Sequence, residues 1–238
     1  MTEGQAKRKL CTVVGVGPGN GAAFARRFAK EGYAVALLAR TTTFTAELAK
    51  TLDGALAYAC DVTNADAVMK SFETIRSELG ETDVLIYNAG SGVWGNVEDI
   101  SPADFETSWR INALGALLAA KEVVPAMKRA GHGSIVFIGA TASRRGVART
   151  AAFAPAKAAQ KSLAESMARH LWSSGIHVSL IIVDGVVDLP RTREFMKGKP
   201  DTFFIKPDDV AELVLSVTQQ ERSAWSFEVE ARPFSETW

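Results

Sequence analysis

The stretch Leu10-Cys-Thr-Val-Val-Gly15-Val-Gly-Pro-Gly19-Asn-Gly21-Ala-Ala-Phe-Ala-Arg-Arg-Phe-Ala-Lys30 decides how the chain is read. Its first five residues are apolar or β-branched without interruption, the pattern of a strand buried on both faces. Glycines at 15, 17, 19 and 21 then allow a tight turn and let backbone N–H groups approach a phosphate closely. A helical pattern follows over 21–31, so its N-terminal dipole points at the same place. Strand, glycine loop and helix in this order predict a pyrophosphate cradle.

The same alternation continues outward. Strand-like runs at 10–14, 34–38, 55–59, 84–87, 135–138, 178–183 and 226–229 are separated by helical patterns at 21–31, 45–51, 65–79, 102–128, 152–172 and 207–219. Such alternation builds βαβ units. The expected fold is α/β, a Rossmann-type doubly wound parallel β-sheet of about seven strands with helices on both faces. One domain is expected over residues 1–238. The run 102–128 can be two helices, bent near Asn112 to Gly115. Residues 189–204, with Pro190, Pro200, Phe195 and Met196, are the least periodic and predict a mobile lid.

Composition narrows the class. Lys plus Arg and Asp plus Glu stand at 27 each, so no net field attracts a polyanion and nucleic acid is not an expected partner. No run reaches the roughly 20 uncharged apolar residues of a membrane span, and the start lacks a signal-peptide core, so a cytoplasmic location is expected. The Lys7-Arg8-Lys9 run reads as a solvated tail. Cys11 and Cys60 sit in apolar runs and read as reduced, buried thiols. His132, His170 and His177 lack ligand spacing, so no metal site is expected.

Further signals stand at strand ends, the edge where open α/β sheets bind ligands. Arg40 closes the second strand, where an acid would bind ribose hydroxyls and repel a 2′-phosphate. A guanidinium there can clamp that phosphate, which predicts NADP(H) over NAD(H). Asp61 follows the third strand and Asn88-Ala89-Gly90 the fourth.

Taken together, these motifs resemble the short-chain dehydrogenase/reductase family over almost the whole chain. Gly15, Gly19 and Gly21 match its spaced glycines, although Val14 replaces the usual threonine; Gly17 and Asn20 complete that loop. The resemblance implies that Asp61, with Val62 beside it, lies by the adenine ring. It implies that Asn88, Ala89 and Gly90 form the family's Asn-Ala-Gly turn, with Tyr87 where a first asparagine is common. It implies that Asn112 holds a water of the proton relay and that Lys157 binds the nicotinamide ribose. Gly185 and Val187, after the sixth strand, join the expected cofactor contacts. A homo-oligomer, dimer or tetramer, is implied as well, paired through the helix after Lys157 and the one before it. In the later helix Ala156, Ala159, Leu163, Met167 and Leu171 form an expected apolar stripe, with Ala164 and Ala168 beside it.

The pattern breaks where the resembled family keeps its proton donor. Four residues before Lys157 stands Phe153 rather than tyrosine, and thirteen before that Ala140 rather than serine. The usual Pro-Gly-x-Val-x-Thr reads Asp184-Gly185-Val186-Val187-Asp188-Leu189. A positioned general acid contributes roughly 10²- to 10⁴-fold and an oxyanion donor about 10²- to 10³-fold, so an ordinary ketone reductase would lose several orders of magnitude. Of the catalytic set Asn112 and Lys157 remain. Thr141, Ser143 and Asp188 are the candidate substitutes: the hydroxyls either polarise a substrate or satisfy the loop, and Asp184 and Asp188 either act as acids of raised pKa, cap the following segment or pair with Arg191. Arg144, Arg145 and Arg149 either attract an anionic substrate or are solvated. Trp94 either lines the substrate cleft or packs in the core. Three functions stay open: an atypical NADP(H)-dependent oxidoreductase acting on a small molecule, a silent cofactor-binding module or hetero-oligomer partner, and a non-redox isomerase or lyase.

Overall fold

The computed structural model describes residues 8–90 and 92–235. The Met1–Lys7 part of the start, read above for a leader segment and a basic tail, lies outside the described residues; Arg8 is bonded to Asp53 at 2.6 Å. In order the elements are β1 (Leu10–Val14), α1 (Asn20–Lys30), β2 (Ala34–Ala39), α2 (Thr43–Lys50), β3 (Ala55–Ala59), α3 (Ala65–Glu78), β4 (Val84–Tyr87) and α4 (Pro102–Trp109). A π-helical turn (Arg110–Leu114) leads into α5 (Gly115–Ala130), then β5 (Gly133–Ala140), α6 (Phe153–Leu171), β6 (Ile176–Val183), β7 (Val186–Val187), α7 (Pro190–Phe195), β8 (Phe204–Ile205), α8 (Pro207–Thr218) and β9 (Glu228–Ala231).

Seven strands form one parallel sheet in the order β3-β2-β1-β4-β5-β6-β9. The chain runs outward from β1 to β3 and then returns to lay β4 on the other side of β1. At that reversal Val14 pairs with Leu38 on one flank and Tyr87 on the other, which opens a crevice at the strands' carboxyl ends. Each face of the sheet has its own core. Phe24 and Phe28 of α1 and Val214 of α8 cover one face; Phe72 and Ile75 of α3, Ala116 of α5 and Ala164 of α6 cover the other. Continuous apolar strands follow directly from this double cover.

Local signals set most element ends. Asn64 caps α3 by accepting from the Ala67 N–H at 3.1 Å, and Ser101 caps α4 by accepting from Asp104 N–H at 3.1 Å. Gly131, in the left-handed conformation with φ +70°, ends α5. Both cysteines are free and buried, as read from sequence.

Two expectations need correction, the last strand and the buried row of α6. The last strand lies two residues later than 226–229, because Ser226 instead accepts from His177 Nε2 at 2.9 Å and belongs to the turn before the edge. Segment 189–204 holds α7, and its end joins β8, which pairs in parallel with β7. The run 102–128 is two α-helices, as expected, joined by the π-helical turn Arg110–Leu114. On α6 the buried row is Lys157, Gln160, Ala164, Ala168 and Leu171, whereas Ala159, Leu163 and Met167 are only partly buried on its flank. The small alanines turn inward because they let the helix settle close to the sheet, which leaves the larger apolar side chains at the margin. No helix of the described residues is long and apolar enough to cross a membrane.

Candidate active site

The site grows from the loop after β1. Gly15 has φ +87°, and a Cβ there would stand 2.4 Å from the Ala89 backbone nitrogen, so only glycine lets the loop lie against the turn after β4. Asn88 secures the contact by donating from Nδ2 to the Gly15 carbonyl at 2.7 Å. A Cβ on Gly21 would meet Val16 Cα at 2.7 Å, whereas one on Gly17 would meet nothing within 4 Å. Gly17 thus faces open space. No side chain caps α1, and Asn20, its first residue, keeps a buried Oδ1 without a partner among the described residues. Open backbone and an uncapped helix end, with their free N–H groups, are what a pyrophosphate group would satisfy, so the residues fit the expected dinucleotide.

Two clefts meet here, sharing Asn88, Gly90 and Gly92. The first, about 630 Å³, is bordered by Gly15, Gly17, Arg40, Asp61, Val62 and Ala89. Thr63 donates to Asp61 Oδ1 through its backbone N–H at 2.9 Å and its hydroxyl at 2.8 Å, which fixes the carboxylate at the cleft wall. Arg40 stands exposed on that wall without an ion pair among the described residues. The second, about 500 Å³, takes in Asn20, Thr141, Lys157, Gly185 and Val187, together with Trp94 and Phe153. Gly19, Gly21, Asn112, Ser143 and Asp188 border neither cleft. Gly19 packs instead on Leu189, where a Cβ would come within 2.9 Å of its Cδ2.

Lys157 and Asn112 converge on Gly90: a Cβ built there would lie 3.4 Å from Asn112 Oδ1 and 3.8 Å from Lys157 Nζ. Lys157 Nζ donates to the Ile138 carbonyl at 2.8 Å and to Gln160 Oε1 at 3.1 Å. Burial without an acid partner brings its ammonium down to about 7. Asn112 is buried, donates from Nδ2 to the Ser108 carbonyl at 2.9 Å, and leaves Oδ1 unpaired among the described residues. Tyr87 explains the π-helical turn beneath it, since its hydroxyl donates to the Ile111 carbonyl at 2.5 Å.

The candidate substitutes are already engaged. Thr141 donates its hydroxyl proton to Asp184, whose other oxygen accepts from Arg232. Ser143 Oγ accepts from the Ala140 N–H at 3.1 Å, so it serves the loop. Asp188 is held by two N–H groups of Arg193, at 2.5 and 2.8 Å, and this guanidinium lowers its pKa below the ordinary carboxylate value. The expectation of a raised acid at Asp188 is therefore corrected, and so is the expected pairing with Arg191. Arg144 is likewise no substrate anchor, being bonded to Glu228 at 2.7 Å and to Glu230. Trp94 lines the cleft and is 57 % exposed, its ring 5.5 Å from that of Phe153 with 37° between planes.

Sequence reasoning passed over Gln160, Arg232 and the role of Tyr87. Gln160 lies one helical turn after Lys157, a spacing that could have revealed it. Arg232 reaches Asp184 across 48 residues and leaves no local signal.

A parallel α/β sheet with a glycine cradle at its reversal defines a dinucleotide-binding protein. Residues 9–198 match the short chain dehydrogenase family, and the chain belongs to that family. It is 29% identical over 181 residues to 3-oxoacyl-(acyl-carrier-protein) reductase MabA of Mycobacterium bovis, covering 76% of this chain and 70% of the relative. Among solved structures it is similar to a short-chain dehydrogenase from Rhodopseudomonas palustris, with TM-score 0.82 and 30% identity over 95% of this chain and 99% of the other. A metagenomic short-chain oxidoreductase in complex with NADP is similar too, with TM-score 0.82 and 28% identity over 96% and 98%.

Proposed function

We propose that this chain is an NADP(H)-dependent oxidoreductase acting on a small molecule in a site without the phenol and serine hydroxyl of its relatives' pattern. The observation that carries this reading is the junction of the two clefts at Asn88, Gly90 and Gly92, with the buried Lys157 on the far side. Arg40, without an ion pair among the described residues and bordering the first cleft, and the similar oxidoreductase in complex with NADP support the choice of cofactor. NADP(H) would supply or accept the hydride. The loop 15–21, Arg40 and Asp61 would hold it, and Lys157, which borders the second cleft, would carry a proton at Nζ that moves near neutral pH. With Thr141 and Ser143 engaged elsewhere, substrates that need little protonation, such as iminium ions or activated alkenes, suit the site best.

Fluorescence titration with NADPH and NADH, followed by NADPH consumption with imines, enones and carbonyls, tests the reading. Turnover of one class is expected. Tight cofactor binding with complete inertness would favour a silent cofactor-binding module, a second reading supported by the engaged hydroxyls of Thr141 and Ser143. The isomerase or lyase reading loses its support, because Arg232 and Arg193 occupy Asp184 and Asp188. We further propose self-association through α5 and α6, where Leu117 is 39 % exposed and Leu163 and Met167 are partly so. Light scattering should return a dimer or tetramer.

A further inference from the structure

The second cleft is unbalanced in charge. Arg145, Lys157 and Arg191 border it, and among the described residues no Asp or Glu does. The arginines nearby divide sharply. Arg144 is consumed by Glu228 and Glu230, whereas Arg145, the next residue, meets no carboxylate among the described residues. Arg193 holds Asp188 at 2.5 Å and Asp201 at 2.7 Å, whereas Arg191, two residues earlier, meets no carboxylate among the described residues. Asp184 and Asp188, which flank residues of the cleft in sequence, are already paired with Arg232 and Arg193. Arg145 comes from the loop between β5 and α6 and Arg191 from the first turn of α7, so two separate segments each bring an uncompensated guanidinium to one cleft. The same cleft presents Trp94 and Phe153 as ring surfaces.

We propose that the second cleft receives an organic anion: an aromatic body against Trp94 and Phe153, and a carboxylate or phosphate group taken by Arg145 and Arg191. This rests on reading the second cleft as the substrate end. Guanidinium forks match the two oxygens of a carboxylate, and ring faces suit a planar apolar body. Lys157 does not compete for the anion, since Ile138 and Gln160 already hold its Nζ. A substrate carboxylate and a phosphate of the cofactor present the same chemistry to these arginines, so the experiment separates them.

Naphthalene-2-carboxylate and its uncharged carboxamide serve as probes, titrated calorimetrically into the full chain with and without NADPH. The carboxylate should bind at least tenfold more tightly than the amide, and added salt should shrink the difference. Arg145→Ala with Arg191→Ala should remove that preference while amide affinity and the circular dichroism spectrum stay unchanged; both side chains are exposed, so the fold does not depend on them. NADPH affinity of the double variant should remain within twofold of the parent. Equal binding of acid and amide, or no binding of either, overturns the proposal. So does a double variant that loses NADPH affinity but keeps its preference for the acid, because the arginines would then serve the cofactor. Arginine-dependent binding of the acid by a chain that binds no NADPH would uphold the anion site and overturn the oxidoreductase reading.

Discussion

The Tyr87 hydroxyl donates to the Ile111 carbonyl at 2.5 Å and so ties the end of β4 to the π-helical turn that carries Asn112. Tyr87 is wholly buried, and a Cβ on Gly115 would stand 2.4 Å from its oxygen, so the helix can begin there only with glycine. The bond joins the sheet edge to a site residue. Tyr87→Phe leaves the Ile111 carbonyl without this donor, which should cost about 1–2 kcal/mol. Thermal unfolding should show a fall of roughly 3–6 °C at this chain length. An unchanged midpoint would mean that the turn holds without the bond.

Arg40 offers the sharpest test of cofactor choice. A charge-assisted bond to a 2′-phosphate contributes about 1.5–3 kcal/mol, or roughly 10- to 150-fold in affinity. Arg40→Ala should weaken NADPH by that factor and leave NADH nearly unaltered. Fluorescence titration of both cofactors checks it, and equal losses for the two would place Arg40 elsewhere.

Lys157 makes cofactor binding depend on pH. Burial brings its ammonium to about 7, whereas phosphate charges nearby favour the protonated form and raise it in the complex. Below about pH 7 the lysine is charged in both states and affinity should be flat. Above it, binding must take up a proton, so NADPH affinity should fall by up to about tenfold per pH unit until the bound-state value is reached. Lys157→Met should flatten that slope. Titrations from about pH 6 to about pH 9 decide, and a parent profile without slope would refute the coupling.

Ala140 and Phe153 stand on the wall of the second cleft with Lys157. Restoring serine and tyrosine there supplies a polariser and a proton donor together. Ala140→Ser with Phe153→Tyr should raise carbonyl reduction by roughly 10²-fold or more, non-additively, if the rest of the scaffold is intact. Initial rates of NADPH oxidation with a ketone panel measure it. No gain at all would show that the cleft holds its substrate in another pose.

Much of the first cleft was legible because its signals are local. Gly15 through Gly21 must form the loop they do, since glycine backbone freedom and helix-end dipoles act within a few residues. Arg40, Asp61 and Asn88 could be placed because strands end where their apolar runs end. The rest resisted for the opposite reason. Thr141, Ser143 and Asp188 read as free polar groups, yet the fold brings Asp184, Ala140 and Arg193 to them as hydrogen-bond partners.

By itself the sequence determined the alternation of strand and helix, the glycine cradle and the absence of tyrosine and serine before Lys157. These depend on residue type and short spacing, which chain order preserves. Only the tertiary structure decided which charges remain available. Arg144 is neutralised by Glu228, 84 residues away in the chain, while Arg145 beside it is left facing the cleft. Consecutive arginines are alike in sequence; the ion pairs that separate them depend on distances set by the packed sheet.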